Sequence, residues 1–228
     1  MTDQPVSKTI VTLINTDRMH TPRRRRAPEE RPGQILDAAL DVFGAHGLAA
    51  ARLDDIARRA GIAKGTIYLY FPTKEELFKA VVRREVVSRI EGAERFQREH
   101  ADVPAPELLR SFLAGYWGNM RQASSTAMIR IVIAEVQKFP DVAEFYGREV
   151  ISRAWSVIGR MIQRGIDRGE FRKVDASTVT RVFVAAFLMH AIWLRPDSPT
   201  YPMLKRLKPD DVRDQLLDFF LSSLEPRP

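Results

Sequence analysis

From Pro32 to Leu224 the apolar residues recur at three- and four-residue spacing, interrupted by glycine and proline and nowhere replaced by the alternation of a strand. That period predicts an all-α chain, because a 3.6-residue repeat gathers apolar side chains on one stripe of a helix. Ile35, Leu36, Ala39, Leu40 and Phe43 form the first stripe, which stops at Gly47. A second helix is expected over 53–60 and a third over 64–71. Pro72 then breaks the chain, and Thr73 with Glu76 three residues later reads as a capping box that opens a fourth helix at Lys74, running to about Arg98. Further helices are expected over 105–121, 124–138, 141–168, 175–194 and 209–224, about nine in all.

At 228 residues, one or two domains are expected. The pattern divides the chain into a flexible basic arm (1–30), a three-helix domain with a helix-turn-helix (31–78) and a larger helical domain (79–228) joined to it by the long fourth helix. Met19 precedes the run Arg23, Arg24, Arg25 and Arg26, and translation starting there, with residues 1–18 dispensable, is a hypothesis that N-terminal sequencing of the native protein tests. The four arginines suit a narrow minor groove or a nonspecific tether.

The chain has no cysteine, which excludes disulfides, thiolate metal sites and cysteine nucleophiles, and fits a reducing compartment. Its four histidines are scattered without metal-ligand spacing, and neither a phosphate-cradling glycine loop nor a G-x-S-x-G elbow is present. No enzyme, cofactor or metal site is expected. The apolar run Val182 to Leu194 includes His190 and falls short of the roughly 20 residues of a bilayer span. Thr9 to Ile14 is too short for a secretory core. A cytoplasmic location follows as the expectation. The net charge of +7 is concentrated early: residues 1–84 carry 15 Lys and Arg against 10 Asp and Glu. That asymmetry points to a polyanion, since cations gain affinity by releasing counterions from phosphates, although a solvated basic surface has the same composition.

The segment Leu53 to Tyr70 meets the demands of a helix-turn-helix. Ile56 and Ala60 are spaced to face inward, Ala57 is small where two helices approach, and Gly61 suits the left-handed turn. Ile62 and Ile67 are expected to bury the second helix of the motif, leaving Lys64, Thr66, Tyr68 and Tyr70 outside. Lysine reaches phosphates or guanine edges, threonine a phosphate or a thymine methyl, and tyrosine hydroxyls a phosphate. Tyr68 and Tyr70 have partly buried packing as their alternative role. Lys74 adds a cation at the next helix start.

The stretches ILDAALDVFGAHG and DDIARRAGIAKGTIYLYFPTKEELF resemble the TetR family of transcription regulators over residues 32–82. The resemblance implies DNA contacts at Lys64, Gly65, Thr66, Tyr68, Tyr70 and Lys74, with Arg52 near the start of the second helix. Arg52 departs from the Ser or Thr that often caps that helix in the family, so a phosphate contact is its alternative role.

The same resemblance implies a homodimer built on the helices at 175–194 and 209–224, binding double-stranded DNA at an inverted-repeat operator. Independently, Val182, Phe183, Ala185, Ala186 and Phe187 give the first of these helices an apolar surface too broad for one buried stripe. The resemblance further implies a repressor released by a small apolar or aromatic ligand. Trp117, Met120, Met128, Phe145, Trp155, Phe187 and His190 are the candidates for its pocket, with plain core as the alternative for each. An activator, or a regulator controlled by a protein partner without an inducer, would carry the same DNA-binding segment.

Overall fold

A computed structural model describes residues 30–196 and 198–226, so Met19 and Arg23 to Arg26 lie outside the described residues. Among the described residues every regular element is helical. The helices are α1 (Arg31–Ala50), α2 (Leu53–Ala60), α3 (Lys64–Tyr70) and α4 (Lys74–Val82, continued by a π-helical segment Arg83–Val87 into Ser88–Glu99). Then come α5 (Ala105–Met120), α6 (Ala123–Glu135, ended by a 3-10 turn Val136–Lys138) and α7 (Pro140–Tyr146, continued by a π-helical segment Gly147–Ser152 into Arg153–Asp167). The last three are α8 (Ala176–Trp193), α9 (Tyr201–Leu204) and α10 (Pro209–Leu224). The single-turn α9 is the one addition to the helices expected from the sequence pattern.

Two compact units are formed. Described residues up to Ser88 group with Ala123–Val150, and Arg89–Gln122 group with those from Ile151 onward. This differs from a boundary at residue 78, because α6 packs along α1 and the first part of α7 touches α4. Both long helices that pass from one unit to the other do so at a π-helical segment or directly beside it.

In the first of these units, Ile35, Ala39, Phe43, Ile56, Ile67, Leu77, Phe78 and Val81 make a fully buried core. Phe43 meets Phe78 edge to face at 5.3 Å between ring centres, joining α1 to α4. The regular part of α1 ends where the sequence places its stop: Gly47 has φ 76° and ψ 174°, a region open essentially to glycine. Arg59 of α2 pairs with Asp41 of α1 at 2.6 Å and adds an ion pair to the apolar packing between them.

In the other unit, Trp117 of α5 stands edge-on to Phe187 of α8 at 5.2 Å, and Phe183 stacks against Phe187 and Phe220 at 4.4 and 3.8 Å. The end of α4 is held by Arg164, whose guanidinium donates to the carbonyls of His100 and Val103. Helix α8 meets the length and composition of a membrane-crossing helix, which the broken apolar run in the sequence does not suggest. It packs on α5, α7 and α10, but 28% of it is buried in the single chain.

Candidate nucleic-acid interface

The turn between α2 and α3 is built by its backbone. Gly61 adopts φ 65° and ψ 38°, its N–H donates to the carbonyl of Arg58, and the Ile62 N–H donates to that of Ala57 at 3.0 Å. These two bonds close a Schellman motif, the left-handed helix ending that glycine permits without a Cβ clash. Leu53, Ile56 and Ala57 are buried, whereas Ala60 and Ile62, expected to point inward, are only half-buried. Both lie beside the turn, where α2 and α3 diverge.

Helix α3 is held by one fully buried side chain, Ile67. At 100° per residue, Gly65 and Leu69 lie nearly opposite it. Lys64 and Tyr68 occupy one flank, Thr66 and Tyr70 the other, each pair four residues apart. The exposures agree: Lys64, Gly65, Tyr68 and Tyr70 are exposed, Thr66 is half-buried, and Leu69 is 83% exposed. A Cβ added to Gly65 would touch nothing, so its backbone is open to close approach. Leu69 is the residue that the sequence reasoning passed over; its position opposite Ile67 is the signal that finds it.

Lys64 Nζ lies 2.7 Å from the Asp54 carboxylate, and that hydrogen bond raises the lysine's proton affinity above its ordinary value. The ammonium is therefore firmly charged. Arg52 precedes α2 in extended conformation (φ −120°, ψ 140°), exposed and making no side-chain cap. Thr73 does cap α4, its hydroxyl oxygen accepting the Glu76 N–H at 3.1 Å, while the Glu76 carboxylate pairs with Lys79 at 2.9 Å. Lys74 is half-buried: its ammonium donates to the Ala49 carbonyl at 2.8 Å and lies 5.6 Å from the centre of the Phe139 ring.

The residues considered for a ligand pocket are dispersed. Trp117 and Phe187 meet in one unit, and His190 follows on α8, half-buried, with Nδ1 2.8 Å from the Ala186 carbonyl oxygen. Met120 in that unit is half-buried, and Trp155 is exposed at an open groove of about 540 Å³ with Arg160, Asp175 and Thr180. Met128 and Phe145 are buried in the other unit, where the Arg83 guanidinium lies 4.7 Å from the Phe145 ring centre. Among the described residues no cluster of His, Asp and Glu is arranged to hold a metal.

Comparison with known proteins matches residues 35–81 to the bacterial regulatory proteins of the tetR family and residues 107–207 to the tetracyclin repressor-like C-terminal domain. The HTH-type transcriptional activator FasR of Mycolicibacterium smegmatis is 42% identical over 81 residues, 35% of this chain and 37% of that protein. The uncharacterized HTH-type transcriptional regulator YfiR of Bacillus subtilis is 26% identical over 164 residues, 68% of this chain and 76% of its own length. The match thus spans little more than a third of FasR but about three quarters of YfiR. Among solved structures, the Bacillus subtilis regulator FadR in complex with stearoyl-CoA superposes with a TM-score of 0.64 at 20% identity, covering 85% of this chain and 99% of that one. A TetR-family regulator from Mesorhizobium loti gives 0.66 at 19% identity, covering 89% and 100%. With an N-terminal and a C-terminal domain of one family matched in order along the helical fold, the chain belongs to the TetR family of bacterial transcription regulators.

Proposed function

We propose that this protein is a sequence-specific DNA-binding transcription regulator that represses from an inverted-repeat operator and is released by a small apolar ligand. The observation that carries the DNA-binding part is the outward face of α3: a cation, hydroxyls and bare backbone are exposed on a helix two turns long that buried Ile67 anchors from its other side. Lys64, Thr66, Tyr68 and Tyr70 supply contacts to phosphates and base edges, and Gly65 allows the backbone close to the groove. Arg52 supplies a further phosphate contact. Lys74 takes part only by exchanging its bond to the Ala49 carbonyl for a phosphate.

A second copy of the chain is the proposed occupant of the apolar surface left on α8 and α10. Phe183 and Phe187 face inward, whereas Val182 is 66% and Phe219 78% exposed, and Ala185 is exposed beside Val182. A two-fold pair would present two copies of α3 to successive major grooves, about 34 Å or more apart. Sedimentation equilibrium of wild type and of Val182→Glu with Phe219→Glu tests this: a dimer that the substitutions dissociate supports it, and a wild-type monomer refutes it.

The ligand is proposed to be a fatty acyl compound, supported by the stearoyl-CoA bound to FadR and by the aromatic interior around Trp117 and Phe187. Trp117 Nε1 is buried there without a hydrogen-bond partner, a donor available to a ligand's polar group. Titrating stearoyl-CoA into a preformed protein–operator complex is the test; release in proportion to ligand supports the proposal, and unchanged binding across a series of chain lengths removes this ligand class. The activator reading is favoured by FasR, itself an activator. A reporter behind the bound promoter separates the two: deletion of the gene raises expression under repression and lowers it under activation.

A further inference from the structure

We infer that Leu69 reads a thymine methyl group in the major groove and is a specificity-determining residue of the interface. The inference rests on the proposal that α3 enters the groove, and goes beyond it by assigning the apolar centre of the contact face. Leu69 is 83% exposed, more than either neighbour, Tyr68 at 45% or Tyr70 at 37%. A leucine left so open contributes little to the fold of the free protein. Its place opposite Ile67 and one turn after Gly65 makes the 65–69 line the part of α3 that protrudes furthest. With no side chain at Gly65, the helix can approach until Leu69 is the first side chain to meet the floor of the groove.

The chemistry of that floor narrows what Leu69 recognises. The side chain has no hydrogen-bonding atom, so it cannot read the donors and acceptors of guanine, cytosine or adenine edges. The C5-methyl of thymine is the apolar feature there, and apolar side chains mark it. On either side, the Lys64–Tyr68 and Thr66–Tyr70 pairs present polar groups towards the strands. The face is therefore apolar at its centre and polar at its flanks, and each half-site should hold a thymine under the centre.

The test uses duplexes selected from a randomised pool by the full-length protein, resynthesised with deoxyuridine in place of each thymidine in turn. Loss of one methyl should weaken wild-type binding about four-fold at one position in each half-site, the value of one methyl-sized group removed from water. Leu69→Ala should bind the thymidine and deoxyuridine duplexes equally, with an unchanged melting temperature because the side chain is exposed. Leu69→Val, which retains a branched apolar end, should keep part of the discrimination. If uridine substitution is silent everywhere, or Leu69→Ala keeps the wild-type discrimination, the inference is overturned while DNA binding stands. If the pool yields no enriched sequence, the DNA-binding proposal falls and this inference with it.

Discussion

Glu135 accepts the backbone N–H of Ala49 at 2.7 Å, so the last residue of α6 is fastened to the turn that leaves α1. The Lys74 ammonium takes the carbonyl of the same residue at 2.8 Å, and both polar groups of Ala49 are therefore held by side chains from other helices. Gly47 leaves the space: a Cβ there would overlap the Glu135 carboxylate. Glu135→Ala is predicted to lower stability by about 1 kcal/mol, and Glu135→Gln, which keeps an acceptor, by less. Gly47→Ala should cost about 3 kcal/mol, combining the glycine-only backbone with the overlap. Chemical denaturation of both singles and the double variant checks this: the double should cost less than the sum, since removing the carboxylate removes the overlap.

Asp54 neutralises Lys64 in the free protein through the 2.7 Å ion pair, and a phosphate would compete for the same ammonium. Asp54→Asn should strengthen DNA binding about two- to five-fold at low salt, with the gain shrinking as salt rises, because both ions are exposed and screened. Anisotropy titrations at several salt concentrations measure it. Weaker binding by a variant with unchanged helix content would show that Asp54 instead orients Lys64 for contact.

Thr73 closes the N-terminus of α4 through its bond to the Glu76 N–H. Thr73→Ala should destabilise the protein by about 1 kcal/mol, and Thr73→Ser should restore most of that. Urea denaturation of the three proteins decides the point.

Arg153 of α7 grips Glu94 of α4 with two hydrogen bonds, 2.9 and 3.2 Å, and so holds the glutamate's pKa below the ordinary carboxylate value. A carboxyl with a lowered folded-state pKa adds stability that is fully present above its unfolded value. That contribution is lost as pH falls through the lowered one. Glu94→Gln should therefore cost about 1 kcal/mol at neutral pH, and the gap to wild type should close as the solution is acidified below the carboxylate range. A gap independent of pH would assign the loss to packing.

Helix positions were legible because local signals mark them: Gly47 and Gly61 at turns, Pro72 at a break, Thr73 at a cap. The outward placing of Lys64, Tyr68 and Tyr70 followed from one buried position, Ile67, and helical geometry. Contacts between distant segments were not legible. The partners of Lys74 lie at Ala49 and Phe139, and only folding brings them together. The grouping of α6 with the helix-turn-helix likewise depends on its packing along α1. The π-helical segments at Arg83–Val87 and Gly147–Ser152 leave no compositional mark, since they are adjustments of a helix to its neighbours. Leu69 was missed because apolar periodicity points to cores, and an apolar residue on the exposed side looks like an interruption of the pattern.

DNA sequence is proposed to be read by the outward face of α3. The most direct measurement compares affinity for a selected duplex and a scrambled one, in wild type and in Lys64→Ala with Thr66→Ala. Wild type should prefer the selected duplex by about 1,000-fold or more, and the double variant should lose most of that preference while melting at the same temperature. A double variant that melts as wild type does and retains the full preference would rule out sequence recognition by this face.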